Sequence, residues 1–300
     1  MHIVIAGGSG FVGKALQARL LKEGHKITIL TRNKEKIFES NGLRAVEWLN
    51  PNSEPEIYMK NVDAIINLAG ESINGFRWTK EKKKRIIESR IHATREIVTL
   101  IEKLDRKPKV LVNGSAVGYY GMSDVETFTE ESKSQASDFL ASVVRKWEEE
   151  AAQAERLGVR IVFARLGVVL GKEGALPLMA LPYKMGVGGP VGTGNQWIPW
   201  VHQADVAGLL LFAIENESIS GPINVTAPNL VKNKEFGKTI GRVLHRPHWM
   251  PVPSFAMKLL LGEMSEMLLR GQCAIPQKAE QNGYTFEYPI LEQAMENILR

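Results

Sequence analysis

Gly7-Gly8-Ser9-Gly10-Phe11-Val12-Gly13 is the stretch that decides the fold. It follows Met1-His2-Ile3-Val4-Ile5-Ala6, a short β-branched run that reads as a strand. It opens onto Phe11–Glu23, where Phe11, Val12, Ala15, Leu16, Leu20 and Leu21 recur at helical spacing. The run fits G-x-x-G-x-x-G from Gly7 and G-x-G-x-x-G from Gly8. Glycines let the backbone approach a pyrophosphate, and a helix N-terminus offers N–H donors and a positive dipole end. Such a match alone also describes a plain tight turn; strand before and helix after make it a dinucleotide signature.

Working outward, apolar runs end at Ala6, Leu30, Leu68 and Val112, each short and β-branched as buried parallel strands are. Gly24 sits where a left-handed helix cap belongs. Helices are predicted over Thr79–Leu104 and Asp138–Leu157, and a strand over Val159–Leu166. The alternation predicts an α/β fold, a Rossmann-type doubly wound parallel sheet, over residues 1–170. Beyond Gly171, Gly174–Asn195 is rich in Gly and Pro with weak periodicity. Gln203–Ile214 and Lys232–Leu244 read as helices, Pro247–Pro253 as a break, and Ser254–Arg270 as one amphipathic helix. The expectation is a smaller, mostly helical, substrate-side subdomain over 171–300, with elements near 198–225 returning to the sheet.

The 300 residues carry a net charge of +5, with 44% hydrophobic and 24% charged residues. That is ample apolar material for a core, which excludes disorder as the main state. The single Cys273 excludes an internal disulfide scaffold. Arg77 to Arg90 holds seven basic and two acidic residues, which matches the excess of the whole chain. A basic run on a helix is ordinarily a solvated face. No aromatic-lined or helix-turn-helix pattern accompanies it, so nucleic acid is not an expected partner. The opening residues read as a strand, not a signal peptide, and Val206–Ile214 is too short to span a bilayer. A cytoplasmic protein with no membrane partner is expected, with its substrate a small molecule. No His/Cys/Asp grouping has metal spacing, so no metal is expected.

At the end of the second strand a NAD site places an acidic residue against the ribose 2′-OH. Here the residues are Thr31-Arg32-Asn33. A guanidinium pairs with a 2′-phosphate that a carboxylate repels, so NADP(H) is expected. The bland alternative is a surface arginine opening the next helix. Asn67-Leu68-Ala69-Gly70 ends another strand with small residues that let the backbone pass close to a cofactor.

Gly7–Gly13, Asn67–Gly70 and Ser115 within Asn113-Gly-Ser-Ala-Val-Gly-Tyr-Tyr-Gly121 resemble the extended short-chain dehydrogenase/reductase superfamily. Arg165-Leu-Gly-Val-Val-Leu-Gly171 and Trp200-Val-His-Gln-Ala-Asp205 are similar to its second-half landmarks. A narrower resemblance spans essentially the whole chain. Leu68–Ile73, Arg77-Trp78-Thr79, Ser89-Arg90-Ile91, Gly192–Trp200 and the tail Pro251–Glu296 are similar to an atypical branch labelled "epimerase family". That resemblance implies an NAD(P)-binding fold but no settled reaction. Taken with the residue readings, cofactor contacts are expected from Gly7, Ser9, Gly10, Phe11, Val12, Gly13, Thr31, Arg32, Leu68, Ala69, Gly70, Arg85, Arg90, Ser115 and Leu166.

The departures matter more. The superfamily's working pair is Tyr-x-x-x-Lys, a phenol acid/base and a lysine that lowers its pKa. Aligned on Glu148, the Tyr position is Leu140 and the Lys position Val144; no shift of frame restores the Tyr. Arg90 replaces the usual Asn of the preceding helix. Ser115 is then the surviving catalytic candidate, positioned to hydrogen-bond a carbonyl, or else a strand-end serine satisfied by the backbone. Tyr119 and Tyr120 are the nearest phenols, with Tyr120 the candidate relocated acid against a structural hydroxyl. Arg90 can replace the lysine as a ribose or phosphate contact but not as a base. Arg85, five residues away and offset by about 140° on a helix, is the weaker candidate.

Glu71, Trp197 and Trp200 fall around the expected substrate mouth; for the tryptophans the competing reading is subdomain packing. His202 is read as structural and Asp205 as the N-cap of Val206–Ile214. Three functions compete. The first is an NADP(H)-dependent oxidoreductase of atypical short-chain dehydrogenase type, acting on a small carbonyl or alcohol. The second is a non-catalytic NADP(H)-binding or redox-sensing protein. The third, a nucleotide-sugar epimerase or dehydratase, ranks last because it needs the missing base.

Overall fold

The computed structural model describes residues 1–33, 38–73, 77–134 and 138–300. The first half runs β1 (His2–Ala6), α1 (Phe11–Lys22), β2 (Lys26–Thr31), β3 (Phe38–Ser40), β4 (Leu43–Glu47), β5 (Ala64–Asn67), α2 (Lys80–Lys103), β6 (Val110–Ala116), β7 (Thr127–Phe128) and α3 (Phe139–Ala152). Then come β8 (Arg160–Leu166), β9 (Val168–Leu170), α4 (Leu176–Lys184), β10 (Trp197–Ile198), β11 (Trp200–His202), α5 (Gln203–Glu215) and β12 (Gly221–Val225). The last quarter holds β13 (Val231–Lys232), α6 (Asn233–Leu244), α7 (Ser254–Leu261), α8 (Glu266–Leu269), β14 (Cys273–Ala274), α9 (Gln277–Gln281) and α10 (Leu291–Leu299).

Eight strands form one sheet in the order β12-β8-β6-β5-β1-β2-β4-β3, parallel throughout except for β3. Along β1, Ile3 and Ile5 point to one face, and Val4 and Ala6 to the other, as strand alternation requires. α1 and α5 cover the first face; α2 covers the second. Both faces are thus buried, which explains near-continuous apolar strands such as Ala64-Ile65-Ile66. A third apolar cluster lies outside the sheet, among α4, α6 and α10.

Local signals set the helix ends. α1 begins at Gly10 and ends before Gly24, whose φ is +77°. Thr79 Oγ1 accepts the Lys82 amide at the start of α2, and Asp138 Oδ1 accepts that of Ala141 at the start of α3. β12 pairs with β8 from Gly221↔Val162 to Val225↔Leu166, so the sheet is completed by residues that follow a long excursion.

Three expectations are corrected. Ser254–Arg270 is not one helix: Gly262, at φ +57°, ends α7, and a 3-10 turn leads into α8. Gly174–Asn195 holds a helix, α4, despite Pro177 and Pro182; Pro177 stands in its first turn, where its missing N–H costs nothing. Asp205 does not cap α5. His202 does, with Nδ1 accepting the Ala204 amide, while Asp205 is fully buried and accepts the Glu287 and Tyr288 amides.

Candidate active site

The sheet order reverses at β1: the chain leaves it for β2 on one side and returns to β5 on the other. Ligands of open α/β sheets bind at such a switch point, outside the carboxyl ends of the strands. The glycine turn lies there. Gly7 has φ +79°, and a Cβ on it would fall 2.6 Å from the Leu68 carbonyl carbon. A Cβ on Gly13 would fall 2.4 Å from the Gly8 oxygen, so that glycine seats the helix against the turn. Gly10 is different: its Cβ would meet only the Gly7 oxygen, at 3.3 Å. No side chain caps the α1 N-terminus, and Ser9 and Gly10 are exposed. The turn therefore packs tightly on its inner side and stays open on its outer one, a cradle suited to a phosphate. Phe11 does not face that cradle; its ring packs against Gly171 and Gly174, and Val12 against the first core cluster.

Thr31 ends β2 and accepts the Asn33 amide on Oγ1. Arg32 stands exposed beside it, with its carbonyl accepting from Asn50 Nδ2. At the end of β5, the fully buried Asn67 donates to Thr94 Oγ1 and Asn113 Oδ1 and accepts the Ala69 amide. Trp147 Nε1 donates to the same Thr94 hydroxyl. This polar knot fixes Leu68, Ala69 and Gly70 at the crevice edge.

Arg90 reaches the same edge. Its guanidinium donates to the Glu71 carbonyl at 2.9 Å and the Ile86 carbonyl at 3.1 Å, lies over the Trp147 ring, and touches Gly70. Burial lowers its pKa to about 10, which leaves it a cation at neutral pH. Arg85 converges on the same residue despite its angular offset, with Nε donating to Glu71 Oε1 at 3.2 Å. Lys82 donates to that oxygen at 2.8 Å, and these two cations, Lys82 first, hold the Glu71 carboxyl below its ordinary pKa.

Ser115 and Tyr120 belong to one buried network. Ser115 Oγ donates to Glu148 Oε1 at 2.5 Å, and Glu148 takes a bidentate ion pair from Arg165 at 2.9 and 2.8 Å. Arg165 also donates to the Tyr120 oxygen at 3.0 Å, and Tyr120 donates to Asn224 Oδ1 at 2.8 Å. Burial pulls the Arg165 pKa down, but Glu148 more than offsets this and leaves it raised. Tyr120 is pushed up to about 12 by burial, the reverse of what an acid working near neutral pH needs. Tyr119 lies under the same guanidinium, 3.5 Å from ring centre to Cζ. On α3, Val144 is buried and Leu140 half-buried, Leu140 with its Cβ close to Gly118. The Tyr and Lys positions are apolar wall.

Trp200 does not line a mouth. It is fully buried, with Nε1 donating to the Asn229 carbonyl, and belongs to the core of the C-terminal part. Trp197 is half-buried, with the Lys232 ammonium over its ring. Leu166 ends β8, packed against the first core cluster. Among the described residues one possible metal group converges: Glu23, His25 and Glu215, within 4.8 Å, at the other end of the strands from the glycine turn. The Glu148–Arg165–Asn224 network was missed in the sequence, although Glu148 served as the alignment anchor and Arg165 stood in a quoted motif.

Comparison with known proteins agrees with this geometry. Residues 3–226 match the profile of the NAD dependent epimerase/dehydratase family, and residues 252–298 that of a domain of unknown function (DUF1731). Epimerase family protein YfhF of Bacillus subtilis is 49% identical over 299 residues, covering 100% of this chain and 98% of that protein. The crystal structure of human epimerase family protein SDR39U1 (isoform2) with NADPH superposes with a TM-score of 0.89 at 34% identity, covering 99% of each chain. UDP-glucuronic acid 4-epimerase from Bacillus cereus, solved with UDP-glucuronic acid and NAD, gives 0.78 at 16% identity, covering 99% of this chain and 97% of that one; this likeness is one of fold.

Proposed function

The chain belongs to the NAD dependent epimerase/dehydratase family, and on that premise we propose that it is an NADP(H)-binding oxidoreductase of a small carbonyl or alcohol substrate, with an active site that dispenses with the Tyr-x-x-x-Lys pair. One observation carries the reading: the uncapped N-terminus of α1 lies at the β1/β5 switch point, with Arg32 exposed at the end of β2. The backbone amides of Ser9, Phe11 and Val12 hold the pyrophosphate, while that of Gly10 closes the turn on the Gly7 carbonyl; Thr31 and Arg32 hold the 2′-phosphate, and Leu68 to Gly70 the adenosine side. Arg90 presents its cation to the ribose or phosphate. The 34%-identical SDR39U1 structure with NADPH supports this cofactor.

NADPH bound there supplies a hydride. The chain's own contribution is placement and charge: Arg90 and the α1 dipole offset the phosphates, and the α3 wall of Leu140 and Val144 excludes water. Ser115 can polarise a carbonyl only by leaving Glu148, and Tyr120 can donate a proton only by leaving Asn224. That geometry favours a second reading, a protein that holds NADP(H) without steady turnover. Titration with NADPH and NADH tests the cofactor, and NADPH oxidation across aldehydes, ketones, quinones and nucleotide sugars tests the reaction. Tight NADPH binding with turnover of any carbonyl supports the first reading, and binding with none supports the second. Equal affinity for NADH and NADPH overturns the cofactor assignment.

A further inference from the structure

The C-terminal part leaves an apolar face uncovered. α4 turns Leu176, Ala180 and Tyr183 inward, and presents Leu178, Leu181 and Met185, 67%, 51% and 69% exposed, at helical spacing. α7 has no buried residue, and its Phe255 and Leu259 are 74% and 72% exposed. The segments that follow α4 and precede α7 pair side by side, and Val187, Trp249 and Met250 on them are exposed. Trp249 Nε1 donates to the Gly186 carbonyl, and the Trp249 and Met250 amides donate to Gly188. Val252 then bridges Val191, and Ser254 lies against Gly192 at the start of α7. Soluble monomers rarely expose large contiguous apolar patches without a use for them.

Charge selects the occupant. Over residues 176–192 and 244–261, which build the face, the charged groups are Lys184, Arg246 and Lys258, with no carboxylate. Beside Trp249, a cleft of about 510 Å³ is lined by Lys238, Arg242, His245, Arg246 and His248. Glu235 and Glu292 pair with Arg242, Glu263 with Lys83, and Glu266 lies 4.0 Å from Lys258, which leaves Lys184, Lys238 and Arg246 as the cations of this face without a carboxylate among the described residues. A second copy of the same face would set cation against cation. Apolar side chains flanked by cations, with an exposed Trp and Phe, suit the boundary between acyl chains and anionic headgroups.

We propose that this face docks the protein on an anionic lipid surface, lying on it and not crossing it. No described helix is long and apolar enough to span a membrane. The expectation of no membrane partner, read from the lack of a spanning segment, does not bear on this kind of contact. The whole chain is floated with phosphatidylcholine vesicles, with or without phosphatidylglycerol, and its association state is followed by ultracentrifugation. Binding is expected on the anionic vesicles, weakened by high salt. Phe255→Glu with Leu259→Glu abolishes it, and Lys184→Glu with Arg246→Glu lowers affinity by about tenfold or more. All these side chains are exposed, so NADPH binding and thermal melting stay at the parent's values. No vesicle binding overturns the proposal, and a dimer dissolved by the same variants would assign the face to a second copy. Equal binding to neutral vesicles overturns the anionic assignment.

Discussion

Glu148 and Arg165 form a bidentate ion pair inside the protein, between a helix and the strand beneath it, with side chains only 9% and 4% exposed. Glu148 lies one helical turn beyond Val144, so α3 carries a buried charge there and apolar side chains at the two positions where the superfamily has its acid/base pair. Removing one partner strands the other. Glu148→Gln or Arg165→Met is expected to cost about 3–5 kcal/mol, and Glu148→Leu with Arg165→Met to recover much of it. Denaturant titration of the three variants checks this; equal losses in single and double variants would contradict it.

The glycine turn gives two distinguishable variants. Gly10→Val puts a branched side chain on the open side of the turn, so NADPH binding is lost while the melting temperature holds. Gly7→Ala drives a Cβ into Leu68 at positive φ, so folding itself suffers. If Gly10→Val titrates with NADPH like the parent, the turn is not the phosphate site.

Cofactor choice rests on Arg32. NADPH is expected to bind tighter than NADH by at least about tenfold, or about 1.4 kcal/mol, and Arg32→Ala to erase most of that gap. Isothermal titration with both nucleotides measures it.

For any substrate that turns over, Ser115→Ala and Tyr120→Phe report separately. A relocated acid predicts a loss of about 10²–10⁴-fold in Tyr120→Phe alone. Carbonyl polarisation predicts the loss in Ser115→Ala alone. A purely structural network predicts falling stability in both, with kcat unchanged at a temperature where each is folded.

Burial lowers the pKa of His2, His202 and His248 below the ordinary 6.5. Their contribution to stability is therefore full above pH 6.5. As pH falls through 6.5 the unfolded chain takes up protons that the folded one refuses, and stability declines until the folded values are passed. Denaturation midpoints on either side of pH 6.5 check the sign; a flat profile would contradict it.

The sheet was legible because its signals are local. Gly24 follows an apolar stripe of period 3.6, Thr79 and Asp138 stand one residue before their helices, and the glycine turn joins strand to helix. The misses come from local signals of capping and helix termination that periodicity outweighed, and from tertiary packing. Ser254–Arg270 has helical periodicity, but the positive φ of Gly262 breaks it. Asp205 has the chemistry of a cap, yet His202 is the residue whose ring reaches the Ala204 amide. Trp200 looked like a pocket wall because an indole suits either a wall or a core, and only packing separates the two. The Ser115–Glu148–Arg165–Tyr120–Asn224 chain joins residues up to 109 positions apart, and no window of sequence displays it.

The late arrival of β12 bears on how the protein is made. Until Gly221–Val225 leaves the ribosome, β8 is a bare edge strand with its Val162–Leu166 hydrogen-bonding groups open. The 54 residues between Leu166 and Gly221 take roughly 3–11 s to translate at about 5–20 residues per second. For most of that interval the nascent chain carries a nearly finished sheet, apolar on both faces, and α5, which helps to cover one of them, is completed only at its end. The nascent chain is thus expected to need chaperone cover within this window, and slow codons inside it to lower the yield of soluble protein.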